Sequence, residues 1–220
     1  MQDPTRSAAG FHALVAQYGP RVLVGIGVSH APVVDGAESG RYRRPLARTR
    51  EFLDALDVAP EPLPVGDRVL AALGPRMLEL ARDRTGGAHP FLVTPEHTAT
   101  AREILGAGPL LAPEQGVILE TDPARARDIA RKHMAVYFGL PNYVNNWRRY
   151  GFGDADVTAP GSNRLIDALV AWGDEGAIAD RVSQHRQAGA DHVCIQVIVN
   201  RDDMSVFPAE QWRRLASALT

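Results

Sequence analysis

The residues best placed to do chemistry in this chain lie in short segments that follow apolar runs. The most suggestive is Leu73-Gly74-Pro75-Arg76-Met77. Glycine lets a ligand approach the main chain, proline suits the first turn of a following helix, and that turn leaves N–H groups without partners. Arg76 adds positive charge, so the segment has the makings of a phosphate-binding turn. The ordinary alternative is a tight Gly-Pro turn carrying a solvent-exposed arginine. Ser29-His30 follows another apolar run, where His30 could donate a hydrogen bond or exchange a proton near neutral pH, or serve as a structural loop histidine. Thr94 reads as an N-cap, and His97, three residues on, either meets a ligand or stabilises the first helical turn. Asn145-Asn146 beside Trp147 sits in a long helical region, as pocket lining or as part of a capped or kinked helix.

Other chemistries lack their signatures. His89, His133, His185 and His192 have no metal-ligand spacing with carboxylates or with one another, so no metal site is expected. There is neither a nucleophile elbow nor a Walker loop. The single cysteine, Cys194, excludes an internal disulfide and suits a reducing compartment. Formal net charge is −2, which does not favour nucleic acid or an anionic membrane as partner. No apolar run is long enough to cross a bilayer, and the first residues lack the character of a signal peptide, so the expected location is cytoplasmic. Lys132 is the only lysine in a chain otherwise rich in arginine.

These segments need a scaffold, and the hydrophobic pattern predicts one. Strands are expected at Arg21 to Val28, Arg68 to Leu73, Ala88 to Val93, Val117 to Glu120 and Asp191 to Ile198. The first of these reads as buried on both faces, as in a parallel sheet. Helical spacing covers Phe11 to Tyr18, and Tyr42 to Leu56 with Leu46, Thr49, Leu53 and Leu56 as an inner stripe. Pro75 opens a helix with Met77, Leu78 and Leu80 on its apolar side, and Thr94-Pro95 opens another that runs to Leu105. Asp122-Pro123 caps a helix that carries Ile129, Val136, Tyr137 and Leu140 inward. Asn163 to Trp172, Glu175 to Ala188 and Pro208 to Leu219 complete the set.

Strand and helix alternate, which is a βα repeat in a single domain over residues 1–220. The open doubly wound sheet is disfavoured, because Gly25-Ile26-Gly27-Val28-Ser29-His30 lacks the third glycine of the dinucleotide fingerprint and runs into Ala31-Pro32 instead of a helix start. A (β/α) barrel is the better reading, although five strands fall short of eight. In a barrel, ligands gather where strands end. Here that gives Val28 to Val33, Leu73 to Met77, Val93 to His97, Glu120 to Pro123 and Val199 to Asp203.

Several segments taken in order resemble one family. Val24-Gly25-Ile26-Gly27-Val28-Ser29-His30, then Ala71-Ala72-Leu73-Gly74-Pro75-Arg76-Met77-Leu78-Glu79-Leu80-Ala81, then Thr94-Pro95-Glu96-His97-Thr98 are similar to consecutive motifs of luciferase-like oxidoreductases. Ile178 to Val193 resembles that family's ending, and the likeness is narrower to an actinobacterial subgroup assigned to the deazaflavin coenzyme F420. The resemblance implies hydride transfer between F420, or alternatively flavin mononucleotide (FMN), and a small organic substrate. It implies that Val28 and Ser29 pass near the cofactor ring or its ribityl chain, and that Leu73, Gly74, Arg76 and Met77 bind its phosphate. His30 falls where some relatives carry an acid–base residue, and Thr94 and His97 fall in a loop that often contacts substrate. It also implies an incomplete barrel holding the fourth to eighth strands, since three βα units precede the Gly25 strand in the family. Open sheet edges would then invite self-association. Two readings of a shortened barrel stay open: an active oxidoreductase, or a non-catalytic cofactor-binding relic.

Overall fold

The structure, a computed structural model, describes residues 3–30, 44–200 and 207–219. Expectations that involve Ala31 to Val33, Tyr42 and Arg201 to Asp203 lie outside these residues. In chain order the elements begin with α1 (Pro4–Tyr18), β1 (Val24–Ile26), α2 (Pro45–Asp57), β2 (Arg68–Leu70), α3 (Pro75–Arg84), β3 (Gly87–Ala88) and α4 (Pro95–Leu105). They continue with β4 (Leu110–Leu111), β5 (Glu114–Leu119), α5 (Pro123–Met134), α6 (Pro141–Arg149), α7 (Asp154–Val157), α8 (Asn163–Leu169), β6 (Val170–Gly173), α9 (Glu175–Gln187), β7 (Cys194–Val197) and α10 (Ala209–Leu219). The chain forms two compact units: Met1–Pro90 with Glu103–Leu111, and Phe91–Arg102 with Ala112–Thr220. No described helix is long and apolar enough to cross a membrane.

Helix starts follow local chemistry. Pro4, Pro45, Pro75, Pro95, Pro123 and Pro141 each open a helix, where the missing N–H costs nothing. Asp3, Asp122, Ser162 and Asp174 cap α1, α5, α8 and α9 by accepting a main-chain N–H three residues on.

The first unit holds a four-stranded parallel sheet in the order β1-β2-β3-β4. Ile26 pairs with Leu70 and Leu70 with Ala88, so the three strands end at one edge. Gly87 sits at φ 155°, and a side chain there would collide with the Leu110 main chain, so glycine is what allows β3 and β4 to pair. Leu53, Leu56, Leu63, Leu70 and Leu78 are almost wholly buried and make this unit's core. Burying each stabilises the fold by about 2–3 kcal/mol before entropy is counted. Strand β1 departs from expectation: it has a single buried residue, Ile26, and Leu23 just before it is 52% exposed. It lies at the edge of its sheet, with no described strand on its outer side.

The second unit holds a three-stranded parallel sheet, β6-β5-β7, covered on both faces. Val117, Ala171 and Val197 pack against Ile178 of α9 and Leu215 of α10. On the other face Trp172 lies under the Arg127 guanidinium of α5, 5.3 Å from ring centre to carbon, and both side chains hydrogen-bond to Asp167. Here the structure corrects the sequence reading twice. Val170 to Trp172, expected as the end of a helix, is strand β6, because α8 stops at Leu169 and the chain turns extended with no intervening loop. The helix after Asp122 stops at Met134 and passes into a 3₁₀ turn, Ala135–Gly139, so Val136 faces solvent at 69% exposure instead of pointing inward. Its buried stripe is Ala126, Ala130 and Met134. In total there are seven short strands among the described residues where five were expected; Leu110–Leu111 and Val170–Gly173 are the additions, and the strand expected at Ala88 to Val93 is only Gly87–Ala88, since the backbone turns left-handed at Leu92.

Candidate functional site

In the first unit, parallel pairing brings two of the predicted segments to one edge. The Ala71 N–H donates to the Ile26 carbonyl at 2.9 Å, and the His89 N–H donates to the Leu70 carbonyl at 2.8 Å. Residues 27–30 and 71–74 therefore leave adjacent strands side by side, with Gly27 against the Ala71 methyl. Val28 and His30 are half-buried and Ser29 is exposed, with a left-handed backbone (φ 61°) that is uncommon outside glycine. Burial lowers the His30 pKa from its ordinary value, which favours the neutral imidazole.

The turn at Gly74 has the geometry an anion needs. Gly74 is the N-cap of α3 in an extended conformation with no side-chain cap, and Pro75 takes the first position. The Met77 and Leu78 N–H groups both donate to the Gly74 carbonyl, at 3.0 and 3.1 Å. That leaves the Arg76 N–H among the groups a helix start does not pair internally. Arg76 is exposed and has no ion-pair partner among the described residues. Gly74 has open space around it. The helix dipole, an unpaired amide and a guanidinium thus converge at the C-terminal edge of a parallel sheet, a donor set that fits a phosphate. Leu73 and Met77 are half-buried on either side of the turn.

Thr94 and His97 belong to the second unit, where they share the first turn of α4. Both are buried, at 5% and 0% exposure. The His97 N–H donates to the Thr94 hydroxyl oxygen at 3.4 Å, which makes Thr94 a cap, and the His97 ring lies 5.4 Å from the Tyr150 ring. The Thr94 side chain also hydrogen-bonds to Glu96 and, against the opposing effect of burial, holds that carboxyl below its usual range. Just upstream, buried Leu92 adopts a left-handed backbone (φ 52°), costly for a residue with a Cβ. Its carbonyl accepts the Trp147 indole N–H at 3.1 Å, a bond that holds this conformation. Asn146 is buried in α6 and accepts from Arg149 at 3.3 Å.

Sequence reasoning missed a buried relay behind α4. Gln115 donates through Nε2 to the Gly116 and Leu169 carbonyls, so its Oε1 is left to accept, and it faces His185 Nε2 at 2.9 Å. His185 must therefore carry its proton on Nε2, and its Nδ1 accepts from the Thr98 hydroxyl at 2.8 Å. Burial first, then the nearby Arg181 and His97, lower the His185 pKa from 6.5 to about 4. The partners lie 87 and 70 positions apart, and no local pattern could pair them. The only hint was a glutamine inside an apolar strand.

Residues 1–192 match the model of the luciferase-like monooxygenase family. The chain belongs to that family. Solved structures agree on its α/β fold with parallel sheets. An F420-dependent secondary alcohol dehydrogenase, solved with an F420–acetone adduct, is 14% identical with a TM-score of 0.71, covering 99% of this chain and 76% of that one. Coenzyme F420-dependent tetrahydromethanopterin reductase from Methanopyrus kandleri is 14% identical with a TM-score of 0.59, covering 99% and 78%. EDTA monooxygenase from Chelativorans sp. BNC1 is 13% identical with a TM-score of 0.61, covering 100% and 71%. At such identities these neighbours speak to the fold of a luciferase-like chain and not to its substrate. No curated protein matches the chain.

Proposed function

We propose that this protein is an oxidoreductase that binds coenzyme F420 and transfers hydride between it and a small organic substrate. The observation that carries the reading is the uncapped Gly74–Pro75–Arg76 helix start at the strand-end edge of the first sheet. Arg76 and its N–H would hold the phosphate, with Leu73, Gly74 and Met77 shaping the turn and Val28 and Ser29 on the neighbouring segment. When bound, the deazaflavin supplies the two-electron hydride chemistry. The chain's own part is to orient and to exclude water. His30, kept neutral by burial, is suited to accept a proton at an imidazole nitrogen. Thr94 and His97 are proposed on the substrate side. FMN is the alternative cofactor, favoured by the same anion-binding turn and by likeness in fold to a monooxygenase.

Titration of the purified chain with F420 and with FMN, followed by fluorescence, tests this. Tight binding of F420 is expected, and Arg76→Ala should weaken it about tenfold to a hundredfold, the value of a charge-assisted hydrogen bond of about 1.5–3 kcal/mol. Absence of binding, or an Arg76→Ala protein that binds as well as wild type, would overturn the reading. Binding without substrate-dependent reduction would favour a non-catalytic cofactor carrier.

A further inference from the structure

Strand β1 presents an exposed stretch of main chain in the first unit. Val24, Gly25 and Ile26 lie in register with Arg68, Val69 and Leu70, and the Ile26 carbonyl accepts the Ala71 N–H at 2.9 Å. In a parallel ladder, successive residues direct their N–H and C=O groups to opposite sides. Val24 and Ile26 therefore face β2, and Gly25, between them, directs both of its groups away from it. Gly25 is itself exposed, and a methyl group added there would meet nothing within 4 Å. Natural edge strands are commonly shielded by lysine, proline or an inward-pointing charge. The run Val22 to Val28 contains none of these.

The chain leading into this strand is apolar and open to solvent. Leu14 and Tyr18 of α1 are 45% and 55% exposed, and Leu23, just before β1, is 52% exposed. Leu14 and Tyr18 are neighbours one helical turn apart. His12, on the opposite side of α1 from Leu14, hydrogen-bonds to the Pro62 carbonyl at 3.1 Å. The Leu14 side of the helix is thus turned from the segment that leads into β2.

An outward donor and an outward acceptor on one residue make the edge complementary to itself. With a twofold axis at Gly25, an antiparallel copy exchanges both bonds, each Gly25 N–H donating to the other copy's Gly25 carbonyl. The same register sets Val24 opposite Ile26 of the second copy, an apolar cross-strand pair made twice. No charge within Val22 to Val28 opposes its like. Leu14, Tyr18 and Leu23 would add on the order of 300 Å² per copy, about 600 Å² in the pair, against the roughly 1,200 Å² of a stable interface. That makes the association weak and reversible. We propose that the Gly25 edge of β1 is a self-docking surface, on which two copies of this chain pair antiparallel about a twofold axis, flanked by Leu14, Tyr18 and Leu23. The pairing makes no use of the Arg76 turn.

The test places a thiol at the axis. In a Cys194→Ser background, Gly25→Cys sets two cysteines about 5.5 Å apart between Cα atoms, the spacing of a hydrogen-bonded antiparallel pair and within reach of a short bismaleimide. Val58→Cys in the same background is the control, since Val58 is 82% exposed on the same unit. Gly25→Cys is expected to give about tenfold more cross-linked dimer than the control. Adding Leu23→Glu should lower that yield about tenfold, because pairing would have to desolvate the carboxylate. On the wild-type chain, amide exchange at Gly25 should slow as protein concentration rises from about 10 μM to about 1 mM, the span over which a weak dimer fills. This last readout stands even if the cysteine variants fail to fold. Equal cross-linking at the two positions, a yield indifferent to Leu23→Glu, or Gly25 exchange independent of concentration would each overturn the proposal.

Discussion

Lowering the pH should unlock the second unit through His185, and the size of the effect follows from its surroundings. The imidazole is wholly buried, with each nitrogen engaged: Nε2–H toward Gln115 and Nδ1 toward the Thr98 hydroxyl. Burial, the Arg181 charge and His97 together lower its pKa from 6.5 to about 4. In the unfolded chain the group has its ordinary pKa. As pH falls through 6.5 the unfolded chain therefore takes up a proton that the folded chain refuses until about pH 4, so the stabilisation present above 6.5 is lost across that interval. At about 1.36 kcal/mol per pH unit, the loss amounts to about 3 kcal/mol. All three tryptophans, Trp147, Trp172 and Trp212, lie in the second unit, so their fluorescence during urea unfolding reports on it alone. Unfolding free energies at intervals between pH 7 and pH 4, for wild type and His185→Gln, separate this group from carboxylates that both proteins share. The variant should be weaker at pH 7 by about 1–3 kcal/mol, the cost of unsatisfied buried partners. It should then lose clearly less than wild type on acidification. Parallel loss in the two proteins would refute the argument.

Two more outcomes are expected. Asp57→Ala should cost about 3–5 kcal/mol in thermal or urea unfolding, because it strands a fully buried cation; Arg68→Met in the same background should recover much of it. The basis is the 2.6 Å Arg68–Asp57 bridge at 0% exposure of the arginine side chain, whose Nε and Nη1 have no hydrogen-bond partner among the described residues. Burial alone would raise the Asp57 pKa; the bonds from Arg68 and Arg84 outweigh it and keep the carboxylate ionised. Trp147→Phe keeps the ring but removes the donor to the Leu92 carbonyl, and should cost about 1–3 kcal/mol with faster amide exchange at residues 92–97.

Much of the scaffold was legible because its signals are local. Proline in a first turn, an aspartate or serine before it, and β-branched runs ended by glycine put α3, α4, α5 and β2 within a few residues of where they lie. The Gly74 turn was legible for the same reason. What escaped depends on partners distant in sequence. Val170-Ala171-Trp172 continues the apolar pattern of α8 and is drawn into a strand by pairing with Gly116 to Ile118. The relay through Thr98, His185 and Gln115, and the left-handed Leu92 held by Trp147, 55 positions away, carry no signature in their own neighbourhoods.

Lys132 gives the second unit an experimental handle. It is the chain's only lysine, it lines a cavity of about 340 Å³ together with Ile129, His133 and Gln196, and its side chain is 61% exposed where it meets Asp128. Apart from the amino terminus, an amine-directed dye or photocrosslinker has one place to attach. A single conjugation would therefore set a reporter at the rim of that chamber without removing any cysteine or introducing a new residue.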